Sequence, residues 1–266
     1  MDLQAILEEF AKGNMGIDRV RKELAIHSIE HVGEMAQLDV GRDLRRGLPE
    51  VVYAEGKKYR DTIAIALSAI RARGQVVVSR IKEQDYEKVL KGIGGRKSNI
   101  CIESGKNSTT ILAFDRTTPP KTTGAKIGIV AAGTSDIGVA EEARLVARSM
   151  GCESVTTYDV GIAGIHRLFP RLKEMLQQDV GAIVVVAGME GALASAVAAL
   201  VDVPVIGVPT SVGYGFGSDG IAALASMLQS CTLGLAVVNI DNGIGAGAFA
   251  ASIANKLALK TSVKLA

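Results

Sequence analysis

Cys231 and Glu190 are the side chains of this sequence whose surroundings point most directly to covalent and acid–base chemistry. Cys231 sits in Gln229-Ser230-Cys231-Thr232, between polar neighbours where a helix gives way to a strand. Cys101 and Cys152 lie in segments that read as packing, the usual fate of a free cysteine. A thiol acts as a nucleophile only where it is accessible and can ionise, so Cys231 is the candidate nucleophile. Glu190 stands in Ala187-Gly188-Met189-Glu190-Gly191, inside a stretch with no Lys or Arg between Lys173 and Lys256. A carboxylate with apolar flanks and no local cation is expected to be buried, which raises its pKa toward that of a general base or acid. The plainer alternative is an exposed glutamate at a helix start, favoured by the dipole.

Four further loops carry groups that can hold a ligand. Gly133-Thr134-Ser135-Asp136 combines a close-approach glycine, two hydroxyls and a helix-capping acid, although it lacks the lysine of a Walker loop. His166 is the only histidine of the second half, and Arg167 beside it has the planar donor fork that suits phosphate. The glycine-rich run 209–220 begins with Thr210 and Ser211 and carries Tyr214 and Phe216, which can close on a flat ring. Asp241 and Asn242 occupy another glycine-rich junction. The expected substrate contacts are Gly133, Thr134, Ser135, Asp136, His166, Arg167, Gly188, Met189, Gly191, Thr210, Ser211, Asp241 and Asn242. Three widely spaced cysteines fit neither a disulfide framework nor a zinc cluster, so no metal ligands are assigned.

These loops need elements to aim them. Strands are expected at 126–132, 154–159, 182–187, 203–208 and 235–239, with helices from about 136, 164, 191 and 220 and a last one after 245. Such alternation means right-handed βαβ units and a parallel sheet, whose ligands sit at the carboxyl ends of the strands. Upstream, helices are expected at 3–12 and 17–25, strands at 51–53 and 75–78 around a helix at 58–73, and a hairpin from 99–102 and 110–113. The polar stretch 117–124, with two prolines, divides a smaller α+β domain (1–120) from the α/β domain (121–266).

Composition removes several functions. A net charge of +2 gives no electrostatic case for nucleic acid. With 48% hydrophobic but only 4% aromatic residues, the core must be Val, Ile, Leu and Ala, as in parallel strands buried on both faces. A mean hydropathy of +0.26 raises the question of membrane spans. The apolar stretches 180–201 and 220–240 are long enough, but internal glycine turns break them and they lack flanking anchors. With no positively charged leader at its start, the chain is expected in the cytoplasm, without membrane or nucleic-acid partners.

The segments Gly133-Thr134-Ser135-Asp136, 163–167, Pro204-Val205-Ile206-Gly207-Val208-Pro209 and the stretch near Gly245 resemble the aminoimidazole ribonucleotide (AIR) carboxylase and mutase family over about 125–259. The resemblance implies a three-layer, flavodoxin-like sheet domain, with Ser135-Asp136 touching the substrate phosphate and ribose and His166-Arg167 matching part of a Ser-Ala-His-Arg motif. The family's second active-site histidine falls near Ala192, so the proton shuttle of purine carboxylation is missing. Cys231 stands where that family has a Met-Pro turn.

The whole chain resembles the LarB family of pyridinium-3,5-biscarboxylic acid mononucleotide synthases more closely, through Leu48 to Lys57, Ala187 to Ala192 and Gln229 to Gly234. That resemblance implies carboxylation of nicotinic acid adenine dinucleotide by CO2 or bicarbonate and hydrolysis of its phosphoanhydride to release AMP, the first step of nickel-pincer cofactor biosynthesis. Cys231 would form the covalent adduct and Glu190 the acid/base. No tightly bound cofactor is expected, and the sequence leaves open whether Mg2+ is needed. Phosphate contacts would come from Arg167, backbone N–H groups, or Arg42, Arg45, Arg46 and Lys57 of the first domain. A homo-oligomer, tetramer or octamer, is expected from the Ala- and Gly-rich helices after Gly191 and Gly245. The competing readings are an AIR carboxylase or mutase and a non-catalytic nucleotide-binding module.

Overall fold

Valine- and isoleucine-rich runs bounded by glycine place two separate main sheets in the chain. The computed structural model describes residues 3–25, 29–32, 36–39, 41, 42, 45, 47–95 and 99–264. Two compact units result: Met1–Glu103 with Ile111–Pro119, and Ser104–Thr110 with Pro120–Ala266.

In the first unit, α1 (Leu3–Ala11) and α2 (Ile17–Leu24) bury Ile6 and Val20 against Met15. Strands β1 (Ile29–Val32) and β2 (Ala36–Asp39) form an antiparallel pair. A four-stranded sheet has the order β3-β4-β6-β5, from β3 (Val51–Tyr53), β4 (Gln75–Ser79), β5 (Ile100–Ser104) and β6 (Ile111–Asp115). Helix α3 (Tyr59–Arg73) makes the crossover between the parallel pair β3 and β4. It ends at Gly74, whose φ of 79° lets its N–H reach Ile70 O at 2.7 Å. Helix α4 (Glu83–Ile93) and the β1–β2 pair were not expected from the sequence. α4 is polar along most of its length and buries only Val89 and Ile93.

The second unit holds five parallel strands: β7 (Lys126–Ala131), β8 (Glu153–Thr157), β9 (Ile183–Ala187), β10 (Val205–Pro209) and β11 (Leu235–Val237). Their order, β11-β10-β9-β7-β8, is flavodoxin-like and reverses direction between β7 and β9. β9 and β10 are buried along their whole length because helices cover both faces. The helices are α5 (Ile137–Ser149), α6 (Leu168–Gln177), α7 (Ala192–Ala198), α8 (Ile221–Leu228) and α9 (Gly243–Lys264). No described helix is long and apolar enough to cross a membrane.

The small residues of α9 have a use inside the unit. A Cβ on Gly243 would lie 2.1 Å from Val139 O, and one on Gly247 would lie 2.4 Å from Ala143 O. Only glycine at this i, i+4 pair lets α9 lie against the backbone of α5. Ala246, Ala250, Ala251 and Ala254 are buried beside it. The smooth face expected to meet another subunit is therefore already covered by the chain's own helix. Gly247→Val is predicted to cost about 1–3 kcal/mol through overpacking, read as a lower midpoint in urea unfolding. An unchanged midpoint would show that the helices separate at no cost.

Candidate active site

The strand order puts the loops after β7, β9 and β10 side by side at the reversal point, and one carboxylate joins them. Asp136, only 3% exposed, accepts the Gly133 N–H at 2.9 Å and the Thr210 hydroxyl at 2.7 Å. The Gly188 N–H donates to the same carboxylate. Burial pushes the carboxyl above the ordinary carboxylate range, against the pull of these three donors, and neighbouring Asp241 adds to the push. Asp136, expected to touch substrate, thus has a positioning task first. It holds Gly133, Gly188 and Thr210 at fixed separations.

The surrounding loops are stitched in the same way. Gly188 fits because a Cβ there would lie 2.2 Å from Val212 O, and the Met189 N–H reaches that same oxygen at 3.0 Å. Met189 itself has a φ of 50°. Asp241 accepts the Ser211 N–H at 2.9 Å, and its own N–H donates to Pro209 O at 2.9 Å. Asn242 caps α9 by accepting the Gly245 N–H at 2.8 Å. Thr134 and Ser135 present exposed hydroxyls before α5. On the loop after β8, His166 is exposed and Arg167 donates to Asp159 at 2.9 Å.

The expected burial of Glu190 does not occur in the single chain. The turn from Gly188 to Gly191, closed by Gly191 N–H to Gly188 O at 2.9 Å, projects from the sheet and leaves Met189 and Glu190 exposed. Its apolar flanks belong to β9 and α7, which are buried while the tip between them is not. Cys231 is exposed as well. Ser195, inside α7, donates to the Ser230 hydroxyl at 2.8 Å, and the Thr232 N–H donates to the same oxygen at 3.2 Å. That bond pins the Cys231 turn to the helix that begins just after Glu190. Ser195 stands three residues into α7, about 4.5 Å of helical rise from Ala192. Gly191 lets α8 cross here, since a Cβ on it would meet Ala223 O at 2.9 Å.

The other thiols differ. Cys152 is buried against Asn255 Oδ1 at 3.3 Å and Ala251 O at 3.7 Å, and burial pushes its pKa up to about 11. Cys101 is half-buried. Among the described residues no group of three or more His, Cys, Asp or Glu side chains converges as a metal site. The first-unit cations proposed for phosphate are engaged locally: Arg45 with Asp39 and Ala25 O, Arg42 near Glu50 at 3.8 Å, and Lys57 on Tyr53 O at 2.7 Å. Arg46 lies outside the described residues.

Known proteins agree with this architecture. Residues 126–265 match the AIR carboxylase family, and residues 29–99 match the LarB/PurE-like N-terminal domain. The chain belongs to the LarB family. It is 46% identical over 256 residues to an uncharacterized protein of Methanocaldococcus jannaschii, covering 95% of this chain and 97% of that one. It is also 31% identical over 132 residues to the N5-carboxyaminoimidazole ribonucleotide mutase of Thermotoga maritima, covering 48% of this chain and 74% of the mutase. As a LarB-family member with an AIR carboxylase domain, the chain is a carboxylase- or mutase-type enzyme.

Asp136→Asn keeps the shape but replaces one acceptor oxygen with a donor, leaving Gly133, Gly188 or Thr210 without an acceptor. The predicted loss is about 1–3 kcal/mol in denaturant unfolding, and no loss would remove Asp136 as the tie. Alkylation of the native chain by iodoacetamide, mapped by peptide mass, is predicted to modify Cys231 and spare Cys152. The reverse pattern would exclude Cys231 as the available thiol.

Proposed function

We propose that this enzyme carboxylates C5 of the pyridinium ring of nicotinic acid adenine dinucleotide, using CO2 or bicarbonate, and hydrolyses the phosphoanhydride to release AMP. The remaining product is pyridinium-3,5-biscarboxylic acid mononucleotide, which opens nickel-pincer cofactor biosynthesis. LarB-family membership supports the reading, and one geometric observation carries it. The thiol whose turn is tied to α7 through Ser230 is exposed, while Cys152 is buried and held protonated.

The chemistry gives that thiol its task. The pyridinium C5 is too electron-poor to attack CO2. Addition of the Cys231 thiolate at C4 places the electron pair in a dihydropyridine, whose C5 is the β-carbon of an enamine. C5 then forms a bond to CO2, Glu190 takes the C5 proton, and expulsion of the thiolate restores the aromatic ring. No net oxidation occurs. The substrate also supplies a positive charge that residues 174–255 lack entirely, so the thiolate adds to a cation carried in by the ring. Thr134 and Ser135, in the turn before α5, offer exposed hydroxyls to a phosphate oxygen. Tyr214 and Phe216, both highly exposed, are available to cover the ring.

Exposed catalytic groups need shelter from water, and the surface around them is apolar. Leu233, 90% exposed, and Leu228 flank the Cys231 turn, and Ile221 is exposed at the start of the same helix α8. Exposed apolar area of this kind marks a contact, so a symmetric tetramer or octamer that covers it forms part of the proposal. Light scattering of the active enzyme is predicted to give a multiple of 27.7 kDa, and an active monomer would refute the assembly.

Product analysis by mass spectrometry, with the dinucleotide and 13C-bicarbonate, tests the reaction: one labelled carboxyl group on the mononucleotide and one AMP per turnover. Cys231→Ser is predicted to abolish carboxylation and to lose the transient mass adduct while keeping the fold. Glu190→Gln is predicted to bind substrate but slow turnover by about 10²–10⁴-fold, because an amide cannot take the proton. Turnover near the wild-type rate in either variant would remove that residue from the mechanism. Label entering an aminoimidazole ribonucleotide instead would favour the purine reaction.

A further inference from the structure

The turn of the β5–β6 hairpin, Ser104–Thr110, belongs to the second unit yet lies between the two family matches, at 29–99 and 126–265. We propose that Lys106, at the tip of this hairpin, is a phosphate ligand for the nucleotide bound at the strand ends. Its choice of ligand rests on the nucleotide reading above, whereas its placement rests on the hairpin alone.

The tip is held on α5 by buried groups. The Lys106 N–H donates to Glu141 Oε2 at 3.0 Å, and the Thr110 hydroxyl donates to Glu142 Oε1 at 3.3 Å. Glu141 is 3% exposed and also accepts from Arg144 Nε at 2.9 Å and from the Tyr158 hydroxyl. A Cβ on Gly138 would lie 2.6 Å from Asn107 O, so glycine alone lets the tip rest on the first turn of α5. Two buried carboxylates, Glu141 and Glu142, hold this exposed turn in place.

The anchoring sets where the ammonium stands. Lys106 Nζ lies 5.8 Å from the centre of the Tyr158 ring. Tyr158 directly follows Thr157, the residue of β8 paired with Val130 of β7, so the ring marks the carboxyl edge of the sheet. The Thr134–Ser135 loop opens the same helix turn that Asn107 touches. Lys106 thus stands beside the end of β8, on a turn that rests on α5.

Charge accounting leaves this lysine open. Arg144 is paired with Glu141, and Arg167 with Asp159. Residues 174–255 contribute no cation. Lys106 is exposed and pairs with no carboxylate among the described residues. A flexible ammonium with three donors is suited to meet a diphosphate as a point charge.

Calorimetric binding of inorganic pyrophosphate to the full chain tests the proposal. Lys106→Gln is expected to weaken binding about tenfold, Lys106→Arg to keep it within a few-fold, and all three proteins to melt together. Lys256→Gln removes the same charge about 20 Å along α9 from its start and is expected to bind like the wild type. Equal affinity for wild type and Lys106→Gln, an equal loss in Lys256→Gln, or no pyrophosphate binding by the wild type would each overturn the proposal. Lys106-dependent pyrophosphate binding without carboxylation of the dinucleotide would sink the reaction assignment and leave this site standing. Carboxylation with pyrophosphate binding indifferent to Lys106 would do the opposite.

Discussion

A buried carboxylate at the end of a parallel sheet is the constraint on which the rest of this structure depends. Parallel strands deliver their loops to one edge, but the sheet's hydrogen bonds do not set the loops relative to one another. Asp136 does so with bonds to Gly133, Gly188 and Thr210, one from each of three neighbouring strand ends. A desolvated carboxylate is tolerated only when its oxygens are bonded, so moving any one loop leaves a costly acceptor unsatisfied. The turn that carries Glu190 is tied at its base in this way, although its tip is in solvent.

Close approach of backbone to backbone is the second device. Gly138, Gly188, Gly191, Gly243 and Gly247 each sit where a Cβ would come within 3 Å of a carbonyl oxygen. With 30 glycines and 4% aromatics, the chain packs by letting its elements lie near one another, and large rings fill little of its core. Phe216 and Tyr214 are left outside, on the loop over the strand ends. Among the apolar groups left exposed, Leu228 and Leu233 flank the Cys231 turn, and Tyr214 and Phe216 lie on that loop.

The parallel sheet was legible because fully buried strands have little choice of residue: Ile183-Val184-Val185-Val186-Ala187 can hardly be anything else between glycine turns. Helix α4 was not, since its two buried residues recur only once per turn among polar ones. The burial expected of Glu190 failed because the apolar residues on either side of it describe the strand and helix, not the turn between them. The small residues of α9 pack on α5, a partner the sequence does not name, because sequence records that a face is small and apolar but not which helix covers it.

The sequence by itself determined the strand–helix alternation, the edge at which the loops gather and the exposure of Cys231 against the burial of Cys152, because each depends on neighbours within a few residues. Only the tertiary structure decided what holds those loops. The bonds from Thr210 to Asp136, Ser195 to Ser230 and Lys106 to Glu141 join residues 74, 35 and 35 positions apart. Such contacts arise when strand order and helix packing bring distant segments together, and no local pattern of residue types encodes them.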